Sequence, residues 1–151
     1  NKTSRESMRI NGEWFVCDDD VVRPTVRGEF LSADGQWLDV RFLLDIGADR
    51  TVFDAALLPW LDRADPTGPT SLSGLGGVVP SVETPAPIRF TTDEGVKVVL
   101  RGKFAAMTRL EDLDMSVLGR DITRLFAVIV DQPGNVVCML SQRHRYRIES
   151  F

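Results

Sequence analysis

An acidic residue at the end of an apolar strand, followed at once by a tight turn, most constrains how this chain can fold. The run Phe42-Leu43-Leu44 is typical of a buried strand and leads straight into Asp45. A carboxylate there loses hydration, which costs several kcal/mol unless its charge is paired, shared or neutralised. Gly47 permits backbone conformations closed to other residues, and Ala48 keeps the space beside the acid small. We therefore predict a carboxylate placed at a buried turn.

The turn by itself allows two interpretations. Asp-x-Gly is common in solvated surface turns, so Asp45-Ile46-Gly47 alone indicates no chemistry. The apolar run before the acid and Ala48-x-x-Thr51-Val52-Phe53 after it favour a functional site.

Composition narrows the class of protein. A length of 151 residues and an apolar content of 43% predict one globular domain with a core of ordinary size. The net charge of −4 argues against nucleic-acid binding, which needs a basic face. No apolar run approaches the ~20 residues of a membrane span, and the first residues lack the pattern of a signal peptide. The sequence does not indicate a compartment.

The cysteines and the histidine restrict the chemistry further. Cys17 and Cys138 lie in apolar stretches, which is typical of buried free thiols, although a disulfide is an alternative. His144 is the only histidine, so no catalytic centre that needs a second histidine can form. No Cys/His cluster has zinc spacing, and we expect neither a metal nor a cofactor. Carboxylates remain as the catalytic groups.

Residues Leu43 to Val52 resemble the active-site motif of retropepsin-like aspartic proteases, which reads Leu-Leu-Asp-Thr/Ser-Gly-Ala-x-x-Thr/Ser-Val. The chain departs from it at Ile46, where the family has a hydroxyl residue. The resemblance implies that Asp45 is catalytic, in an active-site loop with Ile46, Gly47 and Ala48. It also implies an all-β fold, a closed or partly open β-barrel of the retropepsin (acid protease) type with one short helix in the C-terminal half. A homodimer acting on a peptide or protein substrate follows from the same resemblance.

A glycine-rich stretch near the middle of the chain predicts a flexible hairpin tip. A phosphate-binding loop is the alternative, but Gly-Lys-Ser/Thr is missing and the prolines at 80, 85 and 87 oppose a following helix. In the family that the chain resembles, such a hairpin is the flap that closes over the substrate. The resemblance then makes five residues part of the flap and substrate-binding region: Gly74, Leu75, Gly76, Gly77 and Val79. It also implies hydrophobic subsites formed by Val52, Leu75 and Val79.

A second informative stretch runs from Met115 to Phe126. Its apolar residues at 118, 122, 125 and 126 have helical spacing, which predicts one amphipathic helix. The segment Leu118-Gly119-Arg120-Asp121-Ile122 instead resembles the family segment Ile/Leu-Gly-Arg-Asn/Asp-apolar. That resemblance implies a strand, then a short helix, and a structural ion pair between Arg120 and Asp49, which would fix the loop if it is buried.

Other patterns complete the prediction along the chain. Residues 1–12 are polar and predicted to fray, and residues 13–17 to form a first strand. The Asp34-Gly35 turn predicts a hairpin that ends at Asp45, and residues 96–107 predict one strand with a bulge at Gly102. We expect an N-terminal extension with the first strand over 1–24 and a retropepsin-like protease domain over 25–142. Residues 143–151 then form a strand or tail, available for a dimer contact.

Three functions fit the sequence. The first is an aspartic endopeptidase in which Asp45 from each of two chains shares one site, since one chain offers one credible motif. The second is a weakened or inactive dimeric module that binds or scaffolds peptides, because Ile46 cannot make the hydrogen bond of a hydroxyl. The third is an unrelated monomeric β-barrel.

Overall fold

The computed structural model describes residues 8–62, 70–74, 77–141 and 147–150. Its strands are β1 (Arg9–Asn11), β2 (Glu13–Val16), β3 (Val22–Leu31), β4 (Trp37–Leu44), β5 (Val52–Phe53), β6 (Thr70–Gly74), β7 (Gly77–Thr84), β8 (Ile88–Thr91), β9 (Lys97–Leu100), β10 (Phe104–Met107), β11 (Ser116–Leu118), β12 (Ala127–Asp131) and β13 (Val136–Leu140). Helical turns are short: 3-10 helices at Ala55–Trp60 and Leu110–Asp112, and α1 at Arg120–Thr123. The predicted all-β class with one short α-helix in the second half is confirmed. In the described part of the chain, no helix is long and apolar enough to cross a membrane.

The strands form two sheets. The larger has the order β6-β7-β10-β5-β11-β4-β3-β8-β9, with β2 added beside β3, and it curls into a half-barrel. The smaller has the order β1-β13-β12. The fold therefore agrees with the partly open barrel that was predicted.

Strand β11 lies between β4 and β5, and this crossing positions the loop after β4. It runs parallel to β4, with Leu118 opposite Leu44, and antiparallel to β5, with Val117 opposite Val52. After β4 the chain thus passes the end of β11 and continues as β5 on the other side of β11. Residues 45–51 form that passage, so they lie against the residues that follow β11.

A cluster of phenylalanines holds β4 in place. Phe30, Phe42, Phe53 and Phe90 are fully buried, and the ring centroids of Phe30 and Phe53 lie 5.5 Å apart in an edge-to-face contact. Strand alternation directs Val40, Phe42 and Leu44 into this core and the odd-numbered residues of β4 to its other side. Asp45 thus follows a strand that is fixed by dense packing.

The prediction that residues 1–12 fray was wrong for residues 9–11. They form β1, which pairs with β13, because Ile10 is an apolar residue that belongs to the core. Gly12 connects β1 to β2 where the backbone passes close to β3, since a Cβ there would lie 2.3 Å from the Thr25 carbonyl oxygen. Residues 9–11 and 13–16, in β1 and β2, are therefore part of the two sheets.

Two further predictions need correction. The single strand predicted over 96–107 is two strands, β9 and β10, because the strand is interrupted at residues 101–103. Strand β10 then pairs with β7 and β5 at the centre of the larger sheet. The single helix that apolar spacing predicted over 115–126 is not formed. The chain has a strand followed by α1, as the family resemblance implied, because Val117 and Leu118 pair within the sheet.

For residues 143–151 the sequence predicted a strand or a tail. Residues 147–150 form no strand, while 143–146 and 151 lie outside the described residues.

Both cysteines are free thiols, the state that the sequence favoured over a disulfide. Cys138 is buried, whereas Cys17 is half-buried in the turn between β2 and β3.

Candidate active site

Asp45 begins the loop directly beyond β4. Its N–H donates to the Leu118 carbonyl at 3.2 Å, which fixes the start of the loop to β11. Its Oδ1 accepts a hydrogen bond of 2.9 Å from the Gly47 N–H. Its carbonyl accepts from the Ala48 N–H at 3.2 Å, closing a tight turn. The carboxylate is therefore oriented by backbone groups of its own loop.

The turn is less buried in the single chain than the sequence predicted. Asp45 and Ala48 are half-buried, Gly47 is exposed, and the Ile46 side chain is 63% exposed. An added Cβ at Gly47 would lie 3.1 Å from Asp45 Oδ1, closer than an ordinary contact. The glycine thus allows the backbone to approach the carboxylate, while Ile46 presents an apolar side chain to solvent beside it.

A buried network around Thr51 anchors the far end of the loop. The Asp121 carboxylate accepts hydrogen bonds from the Thr51 N–H at 3.0 and 2.9 Å and from the Thr51 hydroxyl at 2.7 Å. The Thr51 hydroxyl in turn accepts from the Gly119 N–H at 3.1 Å. Thr51 is fully buried, so these bonds satisfy groups that have no access to water. The two segments singled out in the sequence are joined here.

Glycine at 119 allows this close approach. An added Cβ would lie 2.3 Å from the Arg50 carbonyl carbon and oxygen. Beside it, the Arg120 N–H donates to the Ala48 carbonyl at 2.8 Å. The loop and the start of α1 are thus in backbone-to-backbone contact.

The Arg120 and Asp49 side chains also meet. The guanidinium of Arg120 pairs with the Asp49 carboxylate and donates to the Ile46 carbonyl at 3.0 Å. The expected ion pair is therefore present, but the two side chains are 53% and 80% exposed, so it lies at the surface. An exposed ion pair contributes about 0–1 kcal/mol, so the main anchor is Asp121.

Thr51, Gly119 and Asp121 belong to the two sequence motifs, but the sequence alone indicated no role for them. Asp121 lies in the first turn of α1, where a carboxylate commonly accepts backbone N–H groups. Its own carboxylate also accepts from the Ile122 N–H at 2.9 Å. The position of Asp121 could therefore have indicated that it accepts backbone hydrogen bonds. Its partner Thr51 could not be predicted in this way, because the contact depends on β11 lying between β4 and β5.

The glycine-rich stretch closes a hairpin between β6 and β7. Gly74 pairs with Gly77, whose positive φ of 102° suits glycine, and Leu75 and Gly76 lie outside the described residues. Val79 is half-buried and packs on a small cluster of Val52, Ala55, Ala105 and Met107. Val52, which was expected to line a subsite, is buried in that cluster.

A second hairpin, β2–β3, extends past the end of β4. Thr25 is paired with Leu43, and continuing this register places Arg23 level with Asp45. Arg23 makes two hydrogen bonds to the Asp19 carboxylate, of 2.8 and 2.7 Å. The hydrogen bond from Arg23 lowers the pKa of Asp19 to about 2. This ion pair closes the hairpin tip beside the loop that begins with Asp45.

Among the described residues, no group of three or more histidines, cysteines and acids is arranged to hold a metal ion.

Comparisons with known proteins give structural matches alone. No protein-family model matches the sequence, and no curated protein matches it. The chain is similar to the protease of EIAV complexed with the inhibitor HBY-793, with 26% identity over 68% of this chain and 86% of that chain, at a TM-score of 0.45. It is also similar to a retropepsin-like aspartic protease from Rickettsia conorii, with 16% identity over 87% of this chain and 97% of that chain, at a TM-score of 0.44. Both of these matched chains are proteases. The candidate site in this chain depends on the motifs and contacts described above.

Proposed function

We propose that this protein is an aspartic endopeptidase that hydrolyses peptide bonds as a homodimer. The observation that carries the proposal is the network in which Asp121 and Gly119 hold Thr51. It joins the two segments that resemble the retropepsin motifs and fixes the loop that begins with Asp45. A loop anchored at both ends can hold a carboxylate in a set position, which catalysis requires.

The chemistry needs a pair of carboxylates about 3 Å apart that share one proton. One removes a proton from a water molecule, and the other donates a hydrogen bond to the peptide carbonyl and later protonates the leaving amine. Repulsion between the two like charges separates the apparent pKa values, which belong to the pair. Each chain supplies one Asp45, so a second copy completes the pair across a two-fold axis.

The surface around Asp45 supports a partner of this kind. Ile46 is 63% exposed, and Val16, Val21 and Val22 of the β2–β3 hairpin are also exposed. Exposed apolar groups that lie close together are typical of protein interfaces. The hairpin and the catalytic loop are therefore proposed as parts of the dimer contact.

We assign the β6–β7 hairpin the role of a flap over the substrate, with Gly74, Leu75, Gly76, Gly77 and Val79. The pairing of Gly74 with Gly77 and the exposure of Val78 support this role. A glycine-rich tip lowers the cost of opening and closing.

A dimeric peptide-binding module without turnover is the second candidate, and Ile46 is the observation that favours it. In the family that the motif resembles, a hydroxyl at this position bonds to the partner loop. Isoleucine cannot do so, and a lost hydrogen bond costs ~0.5–1.5 kcal/mol. A dimer that forms without bringing the two Asp45 carboxylates together would bind peptides and leave them intact.

Cleavage of a mixed peptide library distinguishes the two candidates. Wild-type protein and Asp45→Asn are incubated with the library at several pH values between about pH 4 and pH 7, because activity requires the pair to hold one proton. If the protein is an aspartic endopeptidase, the wild type cleaves the peptides and Asp45→Asn does not. Equal cleavage by both proteins rejects this function. Peptide binding by both proteins with no cleavage by either supports the module. Thermal unfolding of both proteins checks that the substitution leaves the fold intact.

A further inference from the structure

A cavity of about 740 Å³ lies beside the candidate active site, on the side of β4 that faces away from the phenylalanine core. Its floor includes Leu43 and Val117, which are paired neighbours in the sheet. Leu43 precedes Asp45 by two residues, and alternation carried to the end of the strand directs both side chains to the same side. The cavity therefore begins next to the catalytic loop and extends away from it under the β2–β3 hairpin.

The walls combine an apolar surface with an excess of acid. The apolar lining is provided by Phe15, Leu43, Leu57, Leu113, Met115 and Val117. Five carboxylates and two guanidinium groups, those of Arg23 and Arg41, complete the lining together with Cys17 and Val40.

Both arginines already have partners. Arg23 binds Asp19 through two hydrogen bonds. Arg41 pairs with Glu13 and lies 3.8 Å from the centroid of the Phe15 ring. Neither cation is therefore free to neutralise another acid of the cavity.

The remaining acids differ in how well they are satisfied. Asp54 accepts a hydrogen bond of 2.8 Å from the Ser116 hydroxyl. Asp18, Asp39 and Asp114 have no cationic partner among the described residues. The cavity is thus an apolar cleft whose unpaired charge is negative.

We propose that this cavity binds a lysine or arginine side chain of the peptide substrate, so that the enzyme selects basic peptides. The proposal rests on the proposed protease function. The aliphatic stem of such a side chain covers the apolar floor, while its charged end reaches Asp39 and Asp114 in the wall. A volume of this size falls within the ~300–1,000 Å³ typical of ligand pockets, which leaves room for residues flanking the basic one.

Paired peptides that differ at one position test the proposal. Each pair has either lysine or norleucine at that position, scanned along the peptide, because norleucine retains the stem and lacks the charge. Wild type is compared with Asp39→Asn/Asp114→Asn. The matched control, Asp93→Asn/Glu94→Gln, removes the same charge from the β8–β9 turn.

At the position that occupies the cavity, wild type cleaves the lysine peptide with the higher kcat/KM. The cavity variant loses about three- to tenfold of that preference, measured as the ratio of the lysine to the norleucine peptide, as expected for two partly exposed charge pairs. The control variant retains the preference. No lysine preference at any position, or a preference that survives in the cavity variant, overturns the proposal.

Binding separates this proposal from the protease function. Fluorescence anisotropy of the same labelled peptides on Asp45→Asn protein, with and without the two cavity substitutions, needs no turnover. Tighter binding of lysine peptides that depends on Asp39 and Asp114 supports the cavity even if wild type cleaves nothing. Equal binding of the lysine and norleucine peptides rejects it even if wild type is an active protease.

Discussion

At the scale of single residues, the proposed catalytic loop depends on groups that are given no part in the proposed chemistry. Thr51 is fully buried and gives both its N–H and its hydroxyl to Asp121. Asp49 and Arg120 form the ion pair that the motif resemblance implied, but both side chains are largely exposed. The buried network and the exposed pair should therefore differ in their effect on stability.

Replacing Asp121 by alanine is expected to lower the free energy of unfolding by about 1–3 kcal/mol, because buried groups of Thr51 lose their partners. Asp49→Ala removes an exposed ion pair and is expected to cost about 0–1 kcal/mol. Urea denaturation of the two variants and wild type measures the difference. A larger loss in Asp49→Ala than in Asp121→Ala would contradict the assignment of the anchor.

Ile46 belongs to the same scale, since one side chain departs from the motif. Ile46→Thr restores a hydroxyl that, in the family the motif resembles, bonds to the partner loop. With about 1 kcal/mol for each of two symmetric bonds, we expect the dimer dissociation constant to fall by roughly tenfold or more. Sedimentation equilibrium measures it, with Ile46→Val as a control that lacks the hydroxyl. A weaker dimer in the threonine variant would show that the apolar contact of Ile46 matters more.

At the scale of elements, charged side chains connect the strands at the far edge of the larger sheet. Glu29 on β3 accepts hydrogen bonds from Arg89 on β8, at 3.0 and 3.2 Å, and from Lys97 on β9, at 3.3 Å. Arg89 in turn lies 4.1 Å from the ring centroid of Trp37. The hydrogen bond from Arg89 holds the pKa of the Glu29 carboxyl below its usual value.

This lowered pKa predicts a pH-dependent stability. A carboxyl with a lower pKa in the folded state stabilises the fold fully above its unfolded pKa, and the contribution is lost as the pH falls through the folded pKa. We therefore expect Glu29→Gln to unfold about 1 kcal/mol more easily at pH 7, with the difference shrinking once the pH drops below about 4. Thermal unfolding across this pH range, with the exposed Glu94→Gln as control, measures the effect. A difference that stays constant down to pH 2 would contradict the role of the Glu29 charge.

The elements also explain how far sequence could predict this fold. The β3–β4 hairpin and the strand leading into Asp45 were predictable, because alternation, an Asp-Gly turn and a continuous apolar run are local signals. The contact of Thr51 with Asp121 was not, because it depends on β11 crossing between β4 and β5. Strand β1 was missed because three residues in a polar segment give little periodicity, and only pairing with β13 shows that Ile10 is buried.

At the scale of the whole molecule, one chain presents half of the proposed site. Asp45 is held by backbone groups of its own loop, and apolar side chains of that loop and of the β2–β3 hairpin face solvent beside it. The cavity under the hairpin adds a candidate contact for the substrate that lies within a single chain. In the proposed protease, the pair of catalytic carboxylates therefore forms only in the dimer, whereas the cavity that prefers basic peptides lies within each protomer.

Subunit mixing tests the central claim most directly. A fixed amount of wild-type protein is titrated with Asp45→Asn, and peptide cleavage is measured after the chains have exchanged. If each site needs Asp45 from both chains, an equal amount of the variant reduces the activity of the wild type to about half, because random pairing leaves half of its chains in mixed dimers. Excess variant then suppresses activity almost completely, whereas an unrelated protein at the same concentration has no effect. Activity that stays constant as the variant is added would contradict a site built from two copies of Asp45.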